Sequence, residues 1–278
     1  MNDTWSVLKT TFDPVNSVVA TPILSRTCDM PPAEASVRIR NSRGVLLRGI
    51  ERAAAERAAG ELCSAGIPAA AAPDPVTLPP GPPFVVRTAS ATAEGLRPER
   101  QIPNTTLDLP WNQVLAVTAG RVKEVEQTRT PPAANRWRMS ATASERLGLT
   151  SGHKPVEAGR LSDRLSVVGG SPLQHYRIDG DRFNYGSLFP RPSPIGEANF
   201  CMLVNGILRL STGAFTNIQP VQVSADGGLA LEIFEDTHEF DRTVSWLTAI
   251  ARLRLWMTGA PIPAPERTTI VRPEQNQP

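Results

Sequence analysis

The sequence predicts an α+β protein: an N-terminal β-α-α-β-α-β sandwich, a proline-rich linker, and a mainly antiparallel β domain with two late helices. Three observations support this class. Before residue 66, segments with apolar residues at helical spacing alternate with short β-prone runs. The stretch PDPVTLPPGPP at residues 73–83 then interrupts the pattern. Beyond it, β-prone runs alternate with turn signals until an amphipathic segment near residue 250.

The N-terminal half begins with a β-prone stretch at 4–12, followed by Asp13-Pro14, which offers a helix cap and a proline at the first helical position. Apolar spacing predicts a helix over 14–27, although Pro22 removes a hydrogen bond and favours a kink or an early end. Pro31-Pro32 starts a second helix, and Gly44 stops it.

A strand is predicted at 45–50, an alanine-rich helix at 51–65 and a last strand at 67–72. Gly66 supplies the stop between that helix and strand. The residues expected in the core of this unit are Val7, Val19, Ile23, Ile39, Leu46 and Leu62.

The stretch GIERAAAE at 49–56, closed by Leu62, Ala65 and Gly66, resembles the C-terminal domain of the bacterial ribosomal stalk protein. That domain shares a fold group with the Clp protease adaptor. The resemblance covers about a quarter of the chain and implies a docking domain at 4–73, with candidate protein-binding residues on its first two helices. These candidates are Arg26, Met30, Arg38 and Arg40.

The chain departs from the family where the stalk domain docks translation GTPases. The lysines and apolar residues of that surface are replaced here by Ser17, Thr21, Pro22, Ser25 and Ser36. The acidic and histidine side chains of the adaptor's pocket for N-terminal residues do not occur as a set in 1–75. A docking module with a changed partner is therefore expected. The one local basic run, from Arg38 to Arg52, is typical of a solvated surface or of contact with acidic protein or RNA.

The region after the linker at 74–83 is expected to form one domain over 84–257. Strands are predicted in it at 84–92, 107–109, 114–117, 122–125, 165–168, 175–179, 183–185, 221–224 and 229–234. Helices are predicted near 195–211 and 240–256, a mobile insertion near 127–160, and a disordered tail after the domain at 258–278. Turns are expected at Ala119-Gly120, Gly169-Gly170, Gly180-Asp181 and Asp226-Gly227-Gly228. This pattern is weakly similar to bacterial pleckstrin-homology-like domains.

Composition limits the classes of function. A net charge of +2 is too small to indicate nucleic acid or an anionic membrane. The cysteines, Cys28, Cys63 and Cys201, are odd in number and lack metal-site spacing, so no disulfide framework is predicted. No secretory signal and no run of about 18 apolar residues is found. We therefore expect a cytoplasmic protein without a transmembrane segment.

The sequence predicts no catalytic residue, no metal site and no cofactor. Two groups of side chains come nearest to a functional site. His238 with Asp236 is typical either of a divalent-metal pair or of an acidic helix start. Cys63 or Cys201 with His175 has the residue types of a nucleophile and its base. Phosphate-binding and nucleophile-elbow motifs are absent. The favoured function is a non-enzymatic adaptor that docks an unidentified protein partner through its N-terminal domain. The alternatives are an enzyme using Cys, His and acidic groups of the C-terminal domain, and a lipid or membrane-surface binding module.

Overall fold

The computed structural model describes residues 4–99, 108–125, 159–218 and 229–264. Within these ranges the protein is an α+β fold of six α-helices and three β-sheets. The sheets are an N-terminal three-stranded sheet, a six-stranded sheet and a small three-stranded sheet. The predicted fold class is confirmed.

The N-terminal unit has the predicted β-α-α-β-α-β order. Its strands are β1 (Trp5–Lys9), β2 (Val45–Ile50) and β3 (Ala69–Pro73). Its helices are α1 (Ser17–Thr27), α2 (Pro32–Asn41) and α3 (Arg52–Ser64). Strand β1 is central and pairs antiparallel with both neighbours. Five of the six expected core residues are buried, and Val19 is half-buried.

The first helix starts later than the Asp13-Pro14 pair indicated. The cap is Asn16, whose side chain accepts a hydrogen bond from the Val18 backbone nitrogen. The helix then continues through Pro22 to Thr27. The helix therefore does not end early at Pro22, which was one of the two effects expected of that residue.

The segment predicted as a linker, 74–83, begins with helix α4 (Asp74–Thr77), so its first part is not an extended spacer. Ser6 donates a hydrogen bond to the Asp74 carboxylate at 2.5 Å, and Val76 is fully buried. Further along, the Gly81 carbonyl lies 3.0 Å from the ring of His175. Proline density signalled an interruption of the N-terminal pattern, but tertiary contacts hold this segment against both halves of the chain.

The six-stranded sheet is mainly antiparallel, as expected, and three short strands join it in parallel. Its strands are β4 (Phe84–Val85), β8 (Val114–Val125), β9 (Gly159–Gly169), β10 (Gln174–Asp179), β11 (Phe215–Thr216) and β12 (Glu232–Phe234). The long strands β8, β9 and β10 pair antiparallel, while the short strands β4, β11 and β12 join in parallel. A separate antiparallel sheet contains β5 (Ala89–Ala91), β6 (Gly95–Pro98) and β7 (Leu109–Pro110).

Two expected turns are not turns between strands. Ala119-Gly120 lies inside the continuous strand β8, where Gly120 is in close contact with the Phe234 ring. Position 120 therefore needs a glycine because a Cβ atom there would collide with the Phe234 ring. Gly180 follows β10, but the next element is a 3₁₀ turn at Tyr185–Ser187 and not the second strand of a hairpin.

Both late helices are present, as α5 (Gly196–Leu210) and α6 (Thr237–Met257). Helix α6 is buried on all sides from Trp246 to Leu253. It packs in one cluster with Leu8 and Ala72 of the N-terminal sheet and with Val122 and Val168 of the six-stranded sheet. Burial of its apolar stripe was expected, but a position between two sheets was not. None of the helices in the described ranges has both the length and the apolar character needed to cross a bilayer.

The start of the predicted disordered tail is ordered. Leu173 donates its backbone hydrogen to the Ala264 carbonyl at 2.8 Å, and Ile262 packs against the cluster around α6. The rest of that tail, the strand predicted at 221–224 and the insertion predicted at 127–160 lie outside the described residues, apart from 159–160, which belong to β9.

Candidate functional site

A strongly charged concave surface lies where the end of α2 meets the first half of α6. Two adjoining cavities of about 370 and 430 Å³ share Asn41, Ser42, Arg43 and Arg242. We call the pair the basic cleft. Its first lobe also contains Lys9, Phe12, Val15, Ile39, Arg40 and Glu239. Its second lobe also contains Gly44, Val45, Arg48, Pro79 and Ser245.

The local sequence around the end of α2 sets the shape of the cleft. Ser42 is extended and donates its hydroxyl to the Ile39 carbonyl, so the chain leaves the helix abruptly. Gly44 then lies against the indole of Trp246 on α6 with no room for a side chain. The same indole donates a hydrogen bond to the Lys9 carbonyl at 2.8 Å. These contacts fix α6 against the N-terminal sheet and bring basic residues from both together.

Arg43 is the paired cation of the cleft. Its guanidinium forms an ion pair with Glu239 at the start of α6 and another, at 3.3 Å, with Glu232 on β12. Its positive charge is therefore compensated within the protein, and it ties the α2–β2 connection to the second half of the chain.

Arg242 has unused binding capacity. One terminal nitrogen donates to the Asn41 carbonyl at 2.5 Å, at the carboxyl end of α2. Its Nε atom is buried and has no hydrogen-bond partner in the described part of the chain, nor does the residue form a salt bridge there. A buried donor without a partner is energetically unfavourable. The second terminal nitrogen of Arg242 forms no hydrogen bond with a described residue, so this nitrogen, and not the buried Nε, is the donor available to an external acceptor.

Arg48 is the second arginine of the cleft that forms no salt bridge with a described residue. It donates to the Thr77 hydroxyl at 3.2 Å and forms no salt bridge among the described residues. Burial lowers the pKa of Arg48, and the nearby Asp74 carboxylate acts in the opposite direction. An arginine stays protonated despite such a shift, so the charge remains.

Lys9 adds charge to the first lobe. Its ammonium group donates to the Asp13 carbonyl at 3.2 Å and lies 4.8 Å from the centre of the Trp246 ring. Burial lowers the pKa of Lys9 most, and Arg43 lowers it further, while Asp13 and Glu232 raise it. An incoming anion would add to the stabilisation of the charged form.

The second lobe is therefore rich in positive charge. Three guanidinium groups line it, from Arg43, Arg48 and Arg242, and none of its described lining residues is acidic. Of the three, only Arg43 forms a salt bridge within the described ranges. A concave surface of one charge sign attracts ligands of the opposite sign, so the chemistry of this lobe is anion binding.

The structure separates the candidate residues of the first two helices. Arg26 is exposed and pairs with Glu61 at 2.6 Å, and Met30 packs partly against the N-terminal core. Arg38 pairs with Glu34 one turn earlier on α2, at 2.8 Å, and borders a shallow depression beside the cleft. Arg40, which is exposed, lines the first lobe itself.

Sequence reasoning found part of the cleft. The basic run from Arg38 to Arg52 contains Arg40, Arg43 and Arg48, which the α2–β2 connection brings to one surface. It missed Lys9 and Arg242, because each is far away in the chain and no local pattern marks either one.

The cysteine and histidine candidates do not come together. His175 is buried, with Nδ1 donating to the Gly81 carbonyl and Nε2 2.8 Å from the Ser166 hydroxyl, which therefore donates to it. Burial lowers the pKa of His175. Cys201 is buried in α5. The Cys63 thiol forms hydrogen bonds with the carbonyl and the backbone nitrogen of Ala69.

The acidic segment at 235–241 forms the start of α6. Asp236 is the cap, accepting from the Glu239 backbone nitrogen, and Glu239 accepts in return from the Glu235 backbone nitrogen. His238 is exposed on this first turn. Among the described residues, no group of three or more histidine, cysteine or acidic side chains is placed to hold a metal ion.

Comparisons with known proteins complete the description of the site. No model of a protein family matches this chain, and neither the curated proteins nor the solved structures contain a match.

Proposed function

We propose that this protein is a non-enzymatic cytosolic adaptor that docks a partner protein through its N-terminal domain, with an acidic segment of the partner held in the basic cleft. The resemblance of 4–73 to the stalk and adaptor fold group supports the docking role. The exposed free thiol of Cys63 suits a reducing compartment.

One observation carries the proposal: Arg48 and Arg242 face one cavity without a salt bridge from the described residues. Two adjacent guanidinium groups repel each other and lose hydration in a recess, so a partner that supplies anionic groups gains affinity there. The apolar wall of the first lobe, with Phe12, Val15 and Ile39, adds surface for side chains between the charges.

Affinity capture with matched variants tests this function. The full chain is immobilised as wild type, as Arg40→Glu and as Arg242→Glu, and incubated with lysate of the source cells. Arg40 is exposed, so its replacement does not endanger the fold. We expect both variants to lose a partner that the wild type retains, because reversing one cleft charge repels the acidic segment.

The control is Arg209→Glu, which reverses an exposed arginine at the end of α5 outside the cleft. It should retain the same partner. Retention by all three variants, or capture of nothing by the wild type, would contradict docking through the cleft. Raising the salt concentration should weaken the retained complex, because contacts of this kind are screened.

A further inference from the structure

We infer that the second lobe of the basic cleft seats a phosphoryl group carried on a serine or threonine side chain of the partner. This inference rests on the proposed function, since it names the chemical group by which the partner is recognised.

Charge balance favours a phosphoryl group over a carboxylate. Arg48 and Arg242 bring two positive charges that no described acidic residue pairs with in a salt bridge, whereas Arg43 is already paired with Glu232 and Glu239. A phosphorylated serine carries a charge of about −1.5 to −2 at neutral pH. It could contact both guanidinium groups that form no described salt bridge, including Arg48, whose nearby Asp74 carboxylate offsets part of its charge, while a glutamate carries a single charge.

Donor geometry leads to the same group. Arg242 donates to the Asn41 carbonyl with one terminal nitrogen and leaves the other without a described partner, and Arg48 likewise uses one terminal nitrogen on Thr77. Each guanidinium thus keeps further N–H groups for an anion. A phosphoryl group offers three strong acceptor oxygens, enough for paired hydrogen bonds to one arginine and an additional bond to the other.

The size of the cleft indicates a group attached to a chain. The second lobe holds about 430 Å³ and adjoins the first lobe of about 370 Å³, with which it shares four lining residues. Volumes of about 300–1,000 Å³ accommodate ligands much larger than a single ion. A peptide with its phosphoryl group in the second lobe would place flanking residues in the first, where Lys9 and Arg40 favour acidic side chains.

Binding of short degenerate peptides to the full chain tests this inference by fluorescence anisotropy. One pool has phosphoserine at its centre and the other has glutamate, with identical flanking mixtures. We expect the phosphoserine pool to bind at least about tenfold more tightly, since hydrogen bonds to a charged group are strong. Inorganic phosphate serves as a competitor.

The variants Arg48→Lys and Arg242→Lys keep the charge and remove the planar fork. Each should weaken phosphoserine binding about 10- to 100-fold, with Arg209→Lys unchanged as control. Thermal melting of each variant checks that the fold is intact.

Three other outcomes of the peptide-binding experiment would contradict the inference. Equal affinity for both pools would overturn phosphoryl recognition and leave docking of an acidic segment standing. Inorganic phosphate that competes as well as the peptide does would show that the ion alone is bound. Failure of both pools to bind would count against the inference and the proposed function together.

Discussion

At the scale of single residues, the buried polar groups are the ones whose surroundings matter most. His175 on β10 is buried between Ser166 and the Gly81 carbonyl, and it accepts one hydrogen bond while donating the other. Through Gly81 it holds the proline-rich segment against the six-stranded sheet. Burial disfavours the charged form of this ring, so the neutral form, which accepts from Ser166, is the one favoured in the folded chain.

Acid should therefore destabilise the fold through His175. Its pKa is lowered from 6.5 in the folded chain by burial, with Arg177 acting in the same direction and Gly81 and Asp241 opposing it. As the pH falls below 6.5 the unfolded chain takes up a proton that the folded chain does not, so the free energy of unfolding decreases.

Urea unfolding of wild type and His175→Asn between pH 7.5 and 5.5 measures this contribution. Carboxylates common to both proteins cancel in the difference, and we expect the variant to have a smaller loss of stability on acidification. His238→Asn, which replaces a histidine on the exposed first turn of α6, is measured as the control. Identical slopes for wild type and His175→Asn would refute the assignment.

At the scale of elements, the packing of Gly44 against Trp246 joins the α2–β2 connection to α6. The glycine leaves no space for a Cβ atom beside the indole ring. Trp246 is also buried, donates to the Lys9 carbonyl and lies 4.9 Å from the ring centre of Phe12. One side chain on α6 thus packs against two separate loops of the N-terminal unit.

Gly44→Ala should destabilise the protein by about 1–3 kcal/mol, because the added methyl group overpacks this contact. In a Trp246→Ala background, where space is available, the same substitution should cost less, and the cost that remains reports the strain of a side chain at a φ of +158°. Chemical denaturation of the two single variants and the double variant measures this coupling.

Gly60→Ala is the matched control, since a Cβ at this helical position meets nothing within 4 Å. It should stabilise the chain by about 0.5–1 kcal/mol through helix propensity. Additive effects of Gly44→Ala and Trp246→Ala would show that the two residues do not share a contact.

At the scale of the whole molecule, α6 is shared between the two halves of the chain. The N-terminal sheet carries α1, α2 and α3 on one face, and its Leu8 and Ala72 belong to the cluster formed by α6. The six-stranded sheet contributes Val122 and Val168 to the same cluster. The two halves should therefore unfold together, although their sequences suggest separable domains.

Ending the chain at Asp236 tests this dependence. Without α6, one face of each sheet loses its cover, so we expect a molten or insoluble product that binds a hydrophobic dye and lacks a cooperative thermal transition. Hydrogen exchange of the full chain should show both sheets opening with one free energy. A truncated chain in which the N-terminal half still melts cooperatively would show that the two halves are independent.

The sequence alone determined the order and approximate bounds of the N-terminal elements, since helical periodicity, caps and glycine stops are local signals. It also determined both late helices and most of the N-terminal core, including Leu62. Tertiary structure decided the parallel pairing of β4, β11 and β12, the position of α6 between two sheets, and the meeting of Arg48 with Arg242 in one cavity. These features join residues far apart in the chain, and their energies arise only when distant surfaces pack, so no local pattern encodes them.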